Sequence, residues 1–342
     1  MRTNRLSIPL LLALAAFFSP LHAAVGADDL PAGTTWYFHA DLERMRGTDA
    51  GASLYAWLES EVFTEIREES GIDLGKEVDR VTAFATQSDG AIMVVDGTFS
   101  QSTRDKALAA ASAAERFDLF KSGGKTYYYV RGDDKDRDVE IDGIDNEFYF
   151  SFDVRDKLVV AARKGQMEAL LANNGRIPGS RSNKGTLFVL TAEHSLIQAG
   201  MDTNGFEDDE DGGFQSNIMR NTKHVAVMIA DVAGKIAIEA QLIATEAATA
   251  QSLASIVRGL IALQAFSTEM DPDIAQFLQN TRVDVDDVRL KISVALTPEM
   301  LAAALDEAVW SIEVSAMRER TVAHADGTSR VRRDAVLRAR RC

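Results

Sequence analysis

The stretch from Thr222 to Ala308 constrains the fold of this 342-residue chain most strongly, because the hydrophobic period changes within it. Residues 224–229 form an apolar run, and residues 235–243 alternate between apolar and polar side chains, which is the period of a β-strand. Gly234 lies between the two runs, where a tight turn favours glycine. The pattern predicts an antiparallel hairpin.

A long helix, a short helix, a strand and a closing helix are predicted after that hairpin. Apolar residues recur at helical spacing from Leu253 to Ile261, and they alternate from Val288 to Val294. Asp271-Pro272 and Thr297-Pro298 each join a capping residue to a proline at the first helical position. These two sequences therefore mark the starts of the short helix and of the closing helix.

The preceding half of the chain predicts the same kinds of element in a similar order. Aligning Gly90 with Gly234 also places Ile92 on Ile236, so that two hairpins correspond, and each leads into a helix. The predicted strands are residues 35–40, 81–86, 91–95, 125–130, 147–153 and 158–162, and the predicted helices are residues 54–66, 103–117 and 166–171.

These patterns predict an α+β fold of two similar domains, residues 30–175 and 183–310, each an antiparallel or mixed sheet packed with helices. The loop that contains Pro178-Gly179-Ser180 separates the two domains. A tandem duplication explains the similarity between the halves. The alternative is two α+β domains that look alike only because strand–helix alternation is common.

The first residues predict export. Arg2 and Arg5 precede the apolar run Leu6–Phe18, and small residues follow around Ala23. The run is shorter than the roughly 20 residues that cross a bilayer. We therefore expect residues 1–23 to be a Sec-type signal peptide, and the mature chain to be a soluble periplasmic or secreted protein without a transmembrane segment.

The charge of the chain argues against nucleic acid as its partner. Its 37 basic and 52 acidic side chains give a net charge of −15, which repels a polyanion. Residues 318–342 differ, because they form a basic, arginine-rich tail that we expect to be disordered and able to touch anionic surfaces. Cys342 is the single cysteine, so the predicted fold has no internal disulfide.

The candidate metal ligands are five aspartates in one acidic loop: Asp134, Asp136, Asp138, Asp142 and Asp145. They fall at positions 1, 3, 5, 9 and 12 of a calcium-binding loop, and calcium takes six to eight oxygen ligands. Val139 stands where that loop has glycine, and Asp145 stands where it has a longer glutamate. These two departures favour a solvated acidic hairpin loop over a calcium site.

No catalytic residue and no other cofactor is predicted. The spacing matches no zinc motif for the five histidines, which are His22, His39, His194, His224 and His324. The serine hydrolase motif Gly-x-Ser-x-Gly is absent from the sequence. Ser122-Gly123-Gly124-Lys125 matches Ser-x-x-Lys, and Gly124-Lys125-Thr126 matches half of a phosphate-binding loop, but a β-turn explains both.

The element order and two short motifs resemble those of exported bacterial proteins of unknown function. The motifs are Gly71-Ile72-Asp73 and Asp79-Arg80-Val81-Thr82, which follow an aromatic strand close to the signal peptide. The resemblance covers most of the mature chain, and it implies no activity because no catalytic motif comes with it.

We therefore expect a non-catalytic binding or interaction protein of the cell envelope, whose partner is a protein or a small ligand. One alternative is a hydrolase-like enzyme whose active-site residues are dispersed along the chain. The other is an envelope protein stabilised by calcium at residues 134–145.

Overall fold

The computed structural model describes residues 33–86, 88–132, 146–177, 185–194, 221–265 and 278–301. The predicted signal peptide, the five candidate calcium ligands and the basic tail 318–342 lie outside the described residues. Most of the short helix predicted after Asp271-Pro272 lies outside them as well.

Twelve strands run through the described residues. They are β1 Thr34–Asp41, β2 Val78–Thr86, β3 Gly90–Gly97, β4 Arg116–Ser122, β5 Lys125–Arg131, β6 Glu147–Val154, β7 Lys157–Ala161, β8 Thr186–Glu193, β9 Thr222–Val232, β10 Lys235–Ala244, β11 Arg282–Asp286 and β12 Arg289–Leu296.

The helices connect these strands, and several are short. They are α1 Leu42–Gly47, α2 Asp49–Leu58, a π-helical turn Glu59–Phe63, α3 Thr64–Ser70, α4 Leu74–Glu77, α5 Gln101–Ser112, α6 Lys164–Ala172 and α7 Ala247–Ala265. A further helix begins at Pro298, where the backbone N–H of Met300 donates to the Oγ1 of Thr297 over 3.3 Å.

All twelve strands form one antiparallel sheet in the order β11-β12-β10-β9-β8-β1-β2-β3-β7-β6-β5-β4. The fold is α+β, as the sequence predicts. Strands from both predicted domains share the sheet, because β1 pairs with β8 in its middle, where Phe38 lies opposite Leu190. The division into two duplicated domains stays a prediction.

One face of the sheet, the first face, carries the main core. Phe38 and Ala40 of β1 point to it, and Met45 of α1 and Leu54 of α2 pack there with less than a tenth of their surface exposed. Helix α7 covers the same face further along, where Leu253 packs against Leu290 of β12. Apolar side chains at every second strand position therefore hold most helices on this face.

The opposite face, the second face, carries Tyr37 and His39 of β1. Helix α6 packs on it through Met167 and Leu171, which contact Val159 of β7. Beside that cluster, Tyr37 packs with buried apolar residues of neighbouring strands, namely Phe84, Val189 and Met228.

The end of the helix predicted over residues 103–117 is wrong. Helix α5 ends at Ser112, and Phe117 lies in β4, where its ring stacks on Tyr128 with centroids 5.4 Å apart. Phe117 and Leu119 alternate with polar residues as in a strand, but the alanines before them favour a helix, so the predicted helix extends too far. Strand β11 was also not predicted, although Val283 and Val285 alternate there and pack beneath α7.

Within the described residues, no helix has the length and apolarity needed to cross a membrane.

Candidate functional site

His39 is the histidine that the fold buries most deeply among those described. It is 8% exposed on β1, and its Nδ1 lies 2.9 Å from the Oγ1 of Thr82, its cross-strand partner on β2. Burial, reinforced by the charge of Arg80 and partly opposed by Asp41, lowers the pKa of His39 to about 4. The imidazole is therefore neutral at physiological pH, and its hydrogen bond joins β1 to β2.

Asp41 does not act as the orienting carboxylate of His39. Its Oδ1 accepts a hydrogen bond of 2.9 Å from the backbone N–H of Arg44 and caps helix α1. Its Oδ2 lies 3.4 Å from Arg80 on the next strand. The carboxylate therefore stabilises a helix start and a strand pairing, and it leaves the histidine without a catalytic partner of that kind among the described residues.

A row of alternating charges crosses four neighbouring strands beside His39. The row is Asp41, Arg80, Asp96 and Lys157, and each residue is the cross-strand partner of the next. Lys157 forms an ion pair with Asp96, and burial lowers the pKa of Lys157. Opposite charges at directly opposed positions favour one register. The row therefore fixes how β1, β2, β3 and β7 align.

A second buried charge lies on the second face in the other half of the sheet. Glu239 of β10 is 2% exposed, and Lys291 of β12 approaches its Oε2 to 2.6 Å. The Nε2 of Gln241 donates to its Oε1 over 2.6 Å. The contact with Lys291 lacks the angles of a directed hydrogen bond, so ion pairing compensates this oxygen.

The other two described histidines, His194 and His224, lie on or beside the strands of the sheet. The Nδ1 of His194 lies 2.8 Å from the carbonyl oxygen of Thr222, and burial lowers the pKa of His224 against the opposing effect of Glu193. The described residues contain no group of three or more potential metal ligands. The contacts of His39, Asp41 and Glu239 therefore join strands or cap a helix.

The sheet ends in two edge strands that differ sharply, and one of them is the candidate binding site. Strand β11 has five residues, and Arg282, Asp284 and Asp286 alternate along it. Short, charged edges resist pairing with other chains. Strand β4 has seven residues, and Leu119 at its centre is 57% exposed. Among the described strands only β5 pairs with β4, so β4 is the open edge.

The main-chain groups at this edge follow from the turn that joins β4 to β5. Gly123 and Gly124 have φ angles of +57° and +80°, which a two-residue type I′ turn requires. Such a turn makes Ser122 and Lys125 a hydrogen-bonded pair, and the bonded pairs then recur at every second residue. The N–H and C=O groups of Phe117, Leu119 and Lys121 consequently point away from β5.

A rigid layer of aromatic rings supports the β4 edge on the first face. The ring of Phe117 stacks on Tyr128 of β5, and Tyr128 stacks on Phe150 of β6, with centroids 5.4 and 5.2 Å apart. Phe148 of β6 is 37% exposed and lies 6.3 Å from Phe150. These stacked rings pack β4 against β5 and β6.

Tyrosines support the same edge on the second face. The hydroxyl of Tyr129 donates to Glu147 over 2.5 Å, which raises the pKa of that tyrosine. Arg116 of β4 lies 5.2 Å above the ring of Tyr129 and 2.6 Å from Asp118. The charged groups of the edge are therefore ordered as well as its apolar ones.

The sequence-predicted metal ligands Asp134, Asp136, Asp138, Asp142 and Asp145 lie outside the described residues, so the calcium site stays a prediction. The interpretation of residues 122–125 as a turn is confirmed. Strand β4 itself is not among the strands that the sequence predicts. The signal was the alternation of Phe117, Leu119 and Lys121 directly before that Gly-Gly turn.

Comparisons with known proteins give weak structural similarity. No family model and no curated protein matches the chain. Three crystal forms of TP0453 are similar to it at 10–12% sequence identity and TM-scores of 0.38 to 0.41, and each match covers 81–82% of this chain and 95–96% of TP0453.

Proposed function

We propose that this chain is a non-catalytic binding protein exported to the cell envelope, and that it holds an extended segment of another polypeptide at the open edge of β4. The observation that carries the proposal is the exposed Leu119 at the centre of an edge strand whose outward N–H and C=O groups have no strand beside them among the described residues.

The polar chemistry of the described residues supports a binding role over a bond-making one. His39 is neutral and bonded to Thr82, and the carboxylates of Asp41 and Glu239 serve a helix cap and an ion pair. At β4 the main chain is presented together with an apolar side chain, which is the chemistry that strand addition uses. Export rests on the sequence of residues 1–23.

A synthetic strand tests the proposal. The probe is a fluorescein-labelled peptide of about seven residues, matched to the length of β4, with alternating threonine and valine and a lysine at each end. We expect it to bind the purified chain saturably in fluorescence anisotropy. We expect Leu119→Pro to weaken that binding by about tenfold or more, because proline removes an outward N–H and its ring obstructs the edge.

Leu119→Thr is the matched control, because it shortens the side chain and keeps the N–H. Its dissociation constant for the peptide should lie within about twofold of that of the parent protein. Since the N–H of Leu119 does not bond to β5, both variants should keep the circular dichroism spectrum of the parent. If the two variants bind the peptide equally well, β4 is not the site.

We also propose that the two halves of the sheet arose by duplication. From the middle outwards, the first half runs β1-β2-β3-β7-β6 and the second half runs β8-β9-β10-β12-β11, with β5 and β4 added at the first edge. One feature opposes this origin, since α6 packs on the second face whereas Leu301, after β12, packs on the first. Superposing the strand cores tests it, and core positions that do not coincide would refute it.

A further inference from the structure

We propose that the segment which docks on β4 is β4 of a second copy, so that the chain forms a two-fold dimer centred on Leu119. This inference rests on the binding site proposed above and names its partner. Antiparallel pairing of two identical strands requires a two-fold axis perpendicular to the sheet, because only that axis keeps each face of the sheet continuous across the junction.

The outward main-chain groups of β4 are arranged for such pairing. Phe117, Leu119 and Lys121 carry them, and Leu119 is the middle residue of the three. With the axis at Leu119, each Leu119 lies opposite its own copy, and each Phe117 lies opposite Lys121 of the other chain. The three pairs exchange both of their hydrogen bonds, so the edge becomes a continuous ladder across the two copies.

The side chains agree with that register. On the first face, the exposed Leu119 side chains meet each other, and the stem of Lys121 lies against the ring of Phe117 from the second copy. On the second face, Asp118 lies opposite Phe120 and Arg116 lies opposite Ser122. No pair of directly opposed residues carries like charges.

Neighbouring registers are worse for identifiable reasons. Moving the axis to Asp118 places the two Asp118 carboxylates opposite each other, which like-charge repulsion disfavours. Moving it to Phe120 extends the pairing into the turn at Gly123 and shortens the ladder. The axis at Leu119 is therefore the register that the sequence of β4 selects.

The charge of the chain limits where a second copy can bind. The chain carries a net charge of −15, so two copies repel each other over most of their surfaces. Strand β4 differs, because it carries Arg116 and Lys121 against one aspartate. Head-to-tail growth through the other edge is opposed by the charged side chains of β11. Of the pairings that these two edges could make, a closed dimer of β4 with β4 is the one that is left.

Sedimentation equilibrium tests the dimer in the chain without residues 1–23, in reducing buffer so that Cys342 cannot form an intermolecular disulfide. Pairing of two strands gives a small interface, so we expect the monomer to convert to the dimer as the protein concentration rises from about 1 to about 300 μM. We expect Leu119→Lys and Leu119→Glu each to be monomeric in that range, because each places like charges across the axis. An equimolar mixture of the two variants should recover the dimer.

The mixture separates a two-fold contact at Leu119 from a general loss of association. A parent protein that stays monomeric over the whole range, or variants that dimerise as well as the parent, would overturn the inference. A mixture that stays monomeric while the parent dimerises would overturn the register. The peptide measurement with Leu119→Pro decides the proposed function separately, since a monomeric chain that binds the peptide refutes only the dimer.

Discussion

At the scale of single residues, the buried polar side chains account for the sheet's stability and its response to pH. His39 illustrates this, because an imidazole that is 8% exposed hydrogen-bonds to Thr82 in its neutral form. Protonating it inside the fold adds a charge next to Arg80 without bulk water to solvate it. The residue therefore links the stability of the central strands to proton concentration.

The first prediction concerns the pH dependence that His39 causes. Its pKa is lowered from 6.5 to about 4 in the fold, so between these values the unfolded chain binds the extra proton and stability falls as the pH falls. Between pH 7 and pH 5 the expected loss from this residue is about 2 kcal/mol of unfolding free energy. Urea unfolding at several pH values measures it.

His39→Gln is the comparison for that measurement, since glutamine can keep a hydrogen bond to Thr82 and does not titrate. His224, whose pKa burial also lowers, contributes in the same direction to both proteins, so the difference between them isolates His39. Equal pH dependence in the parent and His39→Gln would show that His39 is not buried as a neutral group.

The second prediction concerns the buried carboxylate of Glu239. Lys291→Met removes the ammonium group 2.6 Å from a side chain that is 2% exposed, and it leaves an uncompensated buried charge. We expect the free energy of unfolding to fall by roughly 3 kcal/mol. Lys235→Met, on the strand that carries Glu239, is the control, because Lys235 is exposed, and it should change stability by about 0.5 kcal/mol or less.

A double variant checks the cause of that loss. Glu239→Gln removes the charge that Lys291 compensates, so Glu239→Gln/Lys291→Met should be more stable than Lys291→Met alone. If adding Glu239→Gln lowers stability further by its own full effect, the two side chains do not act as a pair.

At the scale of elements, local period and turn chemistry predicted the strands that lie next to each other in sequence. Gly90 and Gly234 both lie in turns at positive φ, and the hairpins β2–β3 and β9–β10 are confirmed around them. These pairings depend on neighbouring residues, so the sequence contains what is needed to predict them.

Pairings between distant strands could not be predicted in the same way. β1 lies between β2 and β8, and its register places His39 opposite Thr82 and Val189, which are 43 and 150 positions away. Alternation assigns a residue to one of the two faces of a strand, but it does not specify the partner strand. The charge row that includes Arg80 and Asp96 was invisible for the same reason.

The candidate site could be predicted only in part. The turn Gly123-Gly124 is predicted, whereas the predicted alanine-rich helix takes in the first two residues of β4, Arg116 and Phe117, and no element is predicted over residues 118–122. Its position at the edge of the sheet depends on where β5, β6 and β7 pair, which local sequence does not determine. Exposure of Leu119 follows from that position, so the proposed binding edge can be recognised only in the assembled sheet.

At the scale of the whole molecule, the shared sheet predicts that the two halves unfold together. Five cross-strand pairs join β1 to β8 in the middle of the sheet, from Trp36–Ala192 to Ala40–Phe188. In a Trp310→Phe background, tryptophan fluorescence reports Trp36 and Trp57, while far-ultraviolet circular dichroism reports all helices and strands. The two probes should give coincident guanidinium unfolding curves, and separated transitions would show independent domains.

Hydrogen–deuterium exchange with the alternating threonine–valine peptide tests whether β4 binds an extended segment. At a protein concentration below that of any self-association, the peptide should slow exchange in residues 116–122, because the outward N–H groups of Phe117, Leu119 and Lys121 become hydrogen-bonded. The strand β11, residues 282–286, should be unchanged. Bound peptide with protection at β11 or elsewhere, and none at β4, would show that β4 is not the binding strand.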